Sequence, residues 1–70
     1  MNETEFRWLL ETKVGDRPAW FKGKALHGNG PEYTFDANEA VKFSTKEQAE
    51  ASDGMKSPFH KYEAVEHGFG

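Results

Sequence analysis

The stretch EFRWLLETK (residues 5–13), followed at once by Val14-Gly15-Asp16-Arg17-Pro18, constrains the fold more than any other feature of the chain. Phe6, Trp8 and Leu10 fall on one side of a two-residue repeat. Arg7, Glu11 and Lys13 fall on the other, with Leu9 as an apolar intruder. A strand turns its side chains alternately to its two faces, so this is the pattern of a half-buried strand. The Gly, Asp and Pro that follow are turn residues. Residues 19–26 (AWFKGKAL) then place Trp20 and Phe21 side by side, with Lys22 and Lys24 on the face of Trp20. A second strand, antiparallel to the first in a hairpin, is the simplest reading, with Gly23 marking a bulge or a close approach.

His27-Gly28-Asn29-Gly30-Pro31 is the strongest loop signal. Glu32–Phe35 reads as a short third strand, and Asp36 as the N-cap of a helical turn over Ala37–Lys42. Phe43 is expected to point inward. Ser44 with Glu47, or Thr45 with Gln48, has capping-box spacing. The helix it opens is expected to run from Thr45 to Ser52 or Asp53, with Gly54 in the left-handed position that ends a helix. Ala49 and Ala51 require that helix to pack closely. Residues 59–66 (FHKYEAVE) read as the last strand. The expected fold class is α+β: a small antiparallel sheet, β-β-(β)-α-β, with one short helix packed on a face. The expected organisation is a single compact domain over residues 1–67 and a flexible tail over 68–70.

The core of such a sheet has unusual material to draw on. Isoleucine is absent, and Leu, Val and Phe together supply 12 of the 70 residues, below the rough 20% at which disorder becomes a concern. Six Phe, two Trp and two Tyr compensate, since each ring can bury roughly 150–250 Å². Trp8, Trp20, Tyr33 and Tyr62 cannot all be fully buried by one short helix. Some aromatic surface is therefore expected to be available to a partner.

The segment from Tyr33 to Ala49 (YTFDANEAVKFSTKEQA), with a closing strand like Tyr62-Glu63-Ala64-Val65-Glu66, resembles small phage and prophage accessory proteins. There a strand ends in Thr-x-Asp, a helical turn carries Ala and a bulky residue, and a Ser/Thr-Lys-Glu-x-Ala helix follows. The resemblance covers about half of the chain. It implies a protein that binds a host protein or defence complex and alters it. The shared positions are packing and capping residues, so no site residue carries over.

The chemistry that can be searched for in the residues is sparse. There are no cysteines, which removes disulfides, cysteine-ligated zinc and thiol nucleophiles. His27, His60 and His67 have no metal-binding spacing. Ser44, Ser52 and Ser57 lie in no nucleophile elbow, and the glycine-rich loop lacks the P-loop Lys-Ser/Thr. Neither an enzyme nor a cofactor is expected. No apolar run approaches the roughly 20 residues of a membrane span, and the acidic MNETEFRWLL start does not read as a secretion signal. A cytoplasmic, non-membrane protein is the expectation.

What remains is binding. Trp, Tyr and Arg dominate interface hot spots, and sheet edges can add a strand from a partner or from a second copy. The expected function is a small non-catalytic protein that modulates or inhibits a macromolecular partner, with Trp20, Lys22, Lys24 and Tyr33 as one contact patch and Glu47 and Glu50 as a second. Homodimerisation through an edge strand is compatible with this. The alternative is a single-stranded nucleic-acid binder that stacks bases on the same basic and aromatic hairpin. Charge argues against it: net charge is -3, with seven acids against four bases in residues 36–70.

Overall fold

The hairpin forms where the turn residues stand. In the computed structural model, which describes residues 4–23 and 32–70, β1 (Glu5–Val14) and β2 (Arg17–Phe21) are joined by Gly15-Asp16, with Val14 opposite Arg17. Gly15 has φ +64°. A positive φ at the first of two loop residues fits a type II′ turn, which favours glycine there. β3 (Tyr33–Thr34) pairs with β2, and β4 (Glu63–Phe69) pairs with β1. The sheet order is β3-β2-β1-β4, with every neighbouring pair antiparallel. One short helix, α1 (Lys46–Glu50), packs on it. The fold is the α+β arrangement that the residue pattern predicts.

Both faces of the sheet are used. On the helix face Leu10, Phe21, Ala49 and Tyr62 form the buried core, with Trp8, Val41, Phe43 and Ala64 packed against it. Leu9 faces the other way and is equally buried, at 0% exposure. It pairs with Val65. Trp20 and His67 flank it in the register and meet edge to face, 6.0 Å apart. The adjacent Leu9 and Leu10 are therefore no break in the pattern. They are the point at which both faces need an apolar residue. On the Leu9 face Thr34 is also buried; its Oγ1 donates to Glu39 Oε2 at 3.1 Å and accepts from Asp36 N–H at 3.1 Å. Asp36 in turn caps a 3-10 turn, Ala37–Glu39, accepting from Asn38 N–H at 2.9 Å.

The lane of β2 does not end with β2. The chain leaves it after Phe21, where Gly23 has φ +100°. It returns so that Val41 N–H donates to the Phe21 carbonyl at 3.0 Å. Phe43 then exchanges two backbone hydrogen bonds with Trp8, at 2.8 and 2.9 Å. Phe43 thus faces inward, as expected, and the central strand gains a second backbone pairing on its β2 side at Trp8.

Several expected boundaries are corrected. β2 stops at Phe21; residues 24–26 of the expected strand, Lys24 included, and the loop at 27–31 lie outside the described residues. α1 is shorter than expected. Thr45 caps it by accepting from Gln48 N–H at 3.1 Å, and Gln48 Oε1 accepts from Ser44 N–H at 3.2 Å. A second 3-10 turn, Asp53–Lys56, follows. Gly54 is not in the left-handed region. It is buried, and a Cβ there would lie 2.5 Å from Leu10 Cδ1 and 2.8 Å from Phe21 Cδ2. Space, and not dihedral freedom, calls for glycine. The last strand starts at Glu63 instead of Phe59 and continues through Phe69, where a tail over 68–70 was expected. Gly68 pairs with Phe6, whose ring covers it closely. Among the described residues no helix is long and apolar enough to cross a membrane.

Candidate aromatic interface

A row of rings leads from the core to the surface beside β3. Phe21 meets Tyr62 at 5.5 Å between centroids, and Tyr62 meets His60 at 6.1 Å. His60 meets Tyr33 at 5.4 Å, and Tyr33 meets Phe35 at 5.5 Å. Interplanar angles lie between 65° and 80°, the edge-to-face geometry that aromatic quadrupoles favour. The Arg17 guanidinium closes the row, 4.0 Å from the Phe35 ring centre, in cation–π contact. Phe21 is buried, Tyr33 is half-buried and Phe35 is 40% exposed. Phe59, next in the chain to His60, is 78% exposed.

The row is held from below by one carboxylate. Glu32 Oε1 accepts from Ser57 Oγ at 2.5 Å and from the Tyr62 hydroxyl at 3.4 Å. The same Ser57 Oγ accepts from the N–H groups of Phe59 and His60, at 3.1 and 3.3 Å. This fixes the turn after Pro58 and so the position of His60. The Glu32 carbonyl accepts from Lys22 N–H at 2.8 Å, tying the network to the end of β2. Burial pushes the Tyr62 phenol well above its ordinary range, and the charge and hydrogen bond of Glu32 add to the shift. Tyr62 is thereby held neutral.

The residues singled out from the sequence are spread over the molecule. Trp20 is half-buried; its ring edge meets His67 and its Nε1–H donates to Glu11 Oε1 at 3.1 Å. Tyr33 pairs with Phe21 and Trp20 with Thr34, so Trp20 and Tyr33 point to opposite faces of the sheet. Lys22 is exposed at the end of β2, and Lys24 lies outside the described residues. Glu47 and Glu50 are exposed on α1. Only Tyr33 belongs to the aromatic row. The sequence reading weighs Arg17 only as a basic neighbour of Trp20 and Phe21 and His60 only as a metal ligand, and it assigns no contact to Phe35 or Phe59. Phe35 stands two residues after Tyr33, and Phe59 directly follows the turn signal Ser57-Pro58. Both signals are present in the chain.

A concavity of about 300 Å³ is lined by Glu11, Thr12, Lys13, Lys61, Tyr62 and Glu63. Glu11 and Glu63 are direct cross-strand partners within it. Among the described residues no three His, Cys, Asp or Glu side chains are grouped to hold a metal ion. Comparison with protein-family models, with curated proteins and with solved structures finds no match.

Proposed function

We propose that this chain is a non-catalytic binding protein that grips a protein partner with the aromatic surface beside β3 and acts by occupying the partner's surface. The observation that carries the reading is the ring row that begins at the buried Phe21 and ends at the exposed Phe35. Rings anchored in the core lose little freedom on binding, which favours affinity. An exposed aromatic cluster beside an arginine has hot-spot composition, and exposed apolar patches mark interaction sites. The phage-like pattern over residues 33–49 extends the proposal to a host protein or defence complex as the target, in the cytoplasm.

The test is a tagged pull-down from bacterial lysate, with and without nuclease, using the unaltered chain, Phe35→Ser with Phe59→Ser, and Phe6→Ser. Phe6 is 57% exposed but lies on β1, at the far end from β3. A stoichiometric protein that survives nuclease, is lost with the Phe35/Phe59 variant and is kept with Phe6→Ser supports the proposal. Recovery that disappears with nuclease moves the function to single-stranded nucleic acid. A protein retained equally by all three chains removes the aromatic surface from the account.

A further inference from the structure

The other edge of the sheet is a regular strand whose outer side is paired with no described strand. β4 runs for seven residues without proline and has β1 as its only sheet neighbour among the described residues. Its outward groups follow from hydrogen bonds already described. Trp8 spends its N–H and C=O on Phe43, on the β2 side of β1. Backbone groups alternate between the two sides of an antiparallel strand, so Arg7 and Leu9 turn theirs toward β4. Their partners there are His67 and Val65. Ala64, Glu66 and Gly68 therefore aim their N–H and C=O groups outward.

The ionisable residues along this edge are opposed about Val65, acidic on one side and basic on the other. On the Leu9 face, Glu63 lies two residues before Val65 and is backed across β1 by Glu11. His67 lies two residues after Val65 and is backed by Arg7. Like charges placed directly opposite are destabilising in a sheet, and Glu11 with Glu63 is such a pair within one copy. We propose that two copies of the chain pair β4 against β4, antiparallel, about a two-fold axis at Val65. The arrangement doubles the four-stranded sheet. Each acidic pair, Glu11 and Glu63, then continues into His67 and Arg7 of the second copy, and Leu9 and Val65 continue into Val65 and Leu9. Ala64 and Glu66 exchange backbone hydrogen bonds with Glu66 and Ala64 across the axis. A register centred on Glu66 would set that carboxylate against itself. One centred on His67 would leave Glu63 opposite no residue of β4. The interface is isologous, as a two-fold contact must be, and it leaves Tyr33, Phe35 and Arg17, at the opposite edge of the sheet, free in each copy.

Sedimentation measured up to ~1 mM chain tests the association. The unaltered chain is expected to rise toward twice its 8.0 kDa mass, and Glu66→Pro to stay at the monomer mass with unchanged circular dichroism. Proline at an outward position of an edge strand deletes a free N–H without touching the β1 ladder. The register is tested by cysteine, of which the chain has none. Across a two-fold axis at Val65 the two Cα atoms of a Val65→Cys variant lie about 4.5 Å apart, in a non-hydrogen-bonded pair, within disulfide reach. Val65→Cys is expected to cross-link under mild oxidation, and Glu66→Cys is not. An unaltered chain that remains monomeric throughout, or cross-linking by Glu66→Cys in preference to Val65→Cys, overturns the proposal.

Discussion

Trp20 stands edge-on to His67, ring centroids 6.0 Å apart, and the two close over Leu9 from either side. The contact joins β2 to β4 across β1 without any backbone bond between them, and it builds the second apolar face of a sheet that has a helix on only one. Trp20→Ala is expected to cost about 2–3 kcal/mol, below the roughly 3–5 kcal/mol of fully buried aromatic truncations because the ring is half-buried. Trp20→Phe keeps part of the ring and loses the bond to Glu11 with some packing, and is expected to cost less, about 1–2 kcal/mol. Urea denaturation of the two variants checks the order. In a domain of this size the larger loss consumes most of the stability, so loss of binding in Trp20→Ala would report unfolding.

Gly54→Ala is expected to destabilise by about 1–3 kcal/mol, the cost of overpacking a filled core. The added carbon meets Leu10 and Phe21 well inside van der Waals contact. Gly54→Ala combined with Leu10→Val should recover part of the loss, because it removes the atom met first. Thermal melts of the single and double variants measure the recovery.

Phe35→Ser and Phe59→Ser, which carry the binding prediction, are expected to leave stability nearly unchanged, within about 0.5 kcal/mol for the more exposed Phe59. Phe35 should cost somewhat more, because its ring holds Arg17 in a cation–π contact. Denaturation midpoints compared with pull-down yield separate the two effects. A patch residue lowers yield without moving the midpoint.

Stability should fall as pH rises past about 10, and Tyr62→Phe should flatten that fall. The folded state raises the Tyr62 pKa above its unfolded value near 10, by burial first and by Glu32 second. Tyrosine is neutral in both states below the unfolded pKa, so its contribution is intact there. Above it the unfolded chain ionises while the folded one resists, and stability drains until the folded pKa is passed. Chemical denaturation across pH 8–11 tests this, with the variant as reference.

The β1–β2 hairpin was legible because its signals are local: a two-residue repeat, then Gly15 where a positive φ is required. The caps at Asp36 and Thr45 were legible for the same reason, each reaching only two or three residues along the chain. What was missed depends on residues far away in sequence. Gly54 reads as a helix stop until Leu10 and Phe21 stand beside it. Gly68 reads as a tail until Phe6 covers it across the ladder. Trp20 reads as surplus surface until His67 and Leu9 are known to share its face. The adjacent pairs Leu9-Leu10 and Trp20-Phe21 were the available clue that both faces are covered. Tyr33 alone among the chosen contacts joins the aromatic row, because the rest of that row is assembled from β2, from the turn after Pro58 and from the approach to β4.

The register that sets Glu5 against Phe69 and Phe6 against Gly68 has a consequence for how the protein is made. The central strand is made well before β4, one of its two neighbours, because β2, β3 and α1 all lie between them in the chain. Until residue 69 has emerged, β1 holds only its hairpin partner and the bridge to Phe43, and the Leu9 face lacks its β4 side. Such sequence-distant pairing slows folding relative to a helical chain of equal length. A nascent chain stalled before β4 has emerged therefore lacks one neighbour of its central strand, and Leu9 lacks the cover of Val65 and His67.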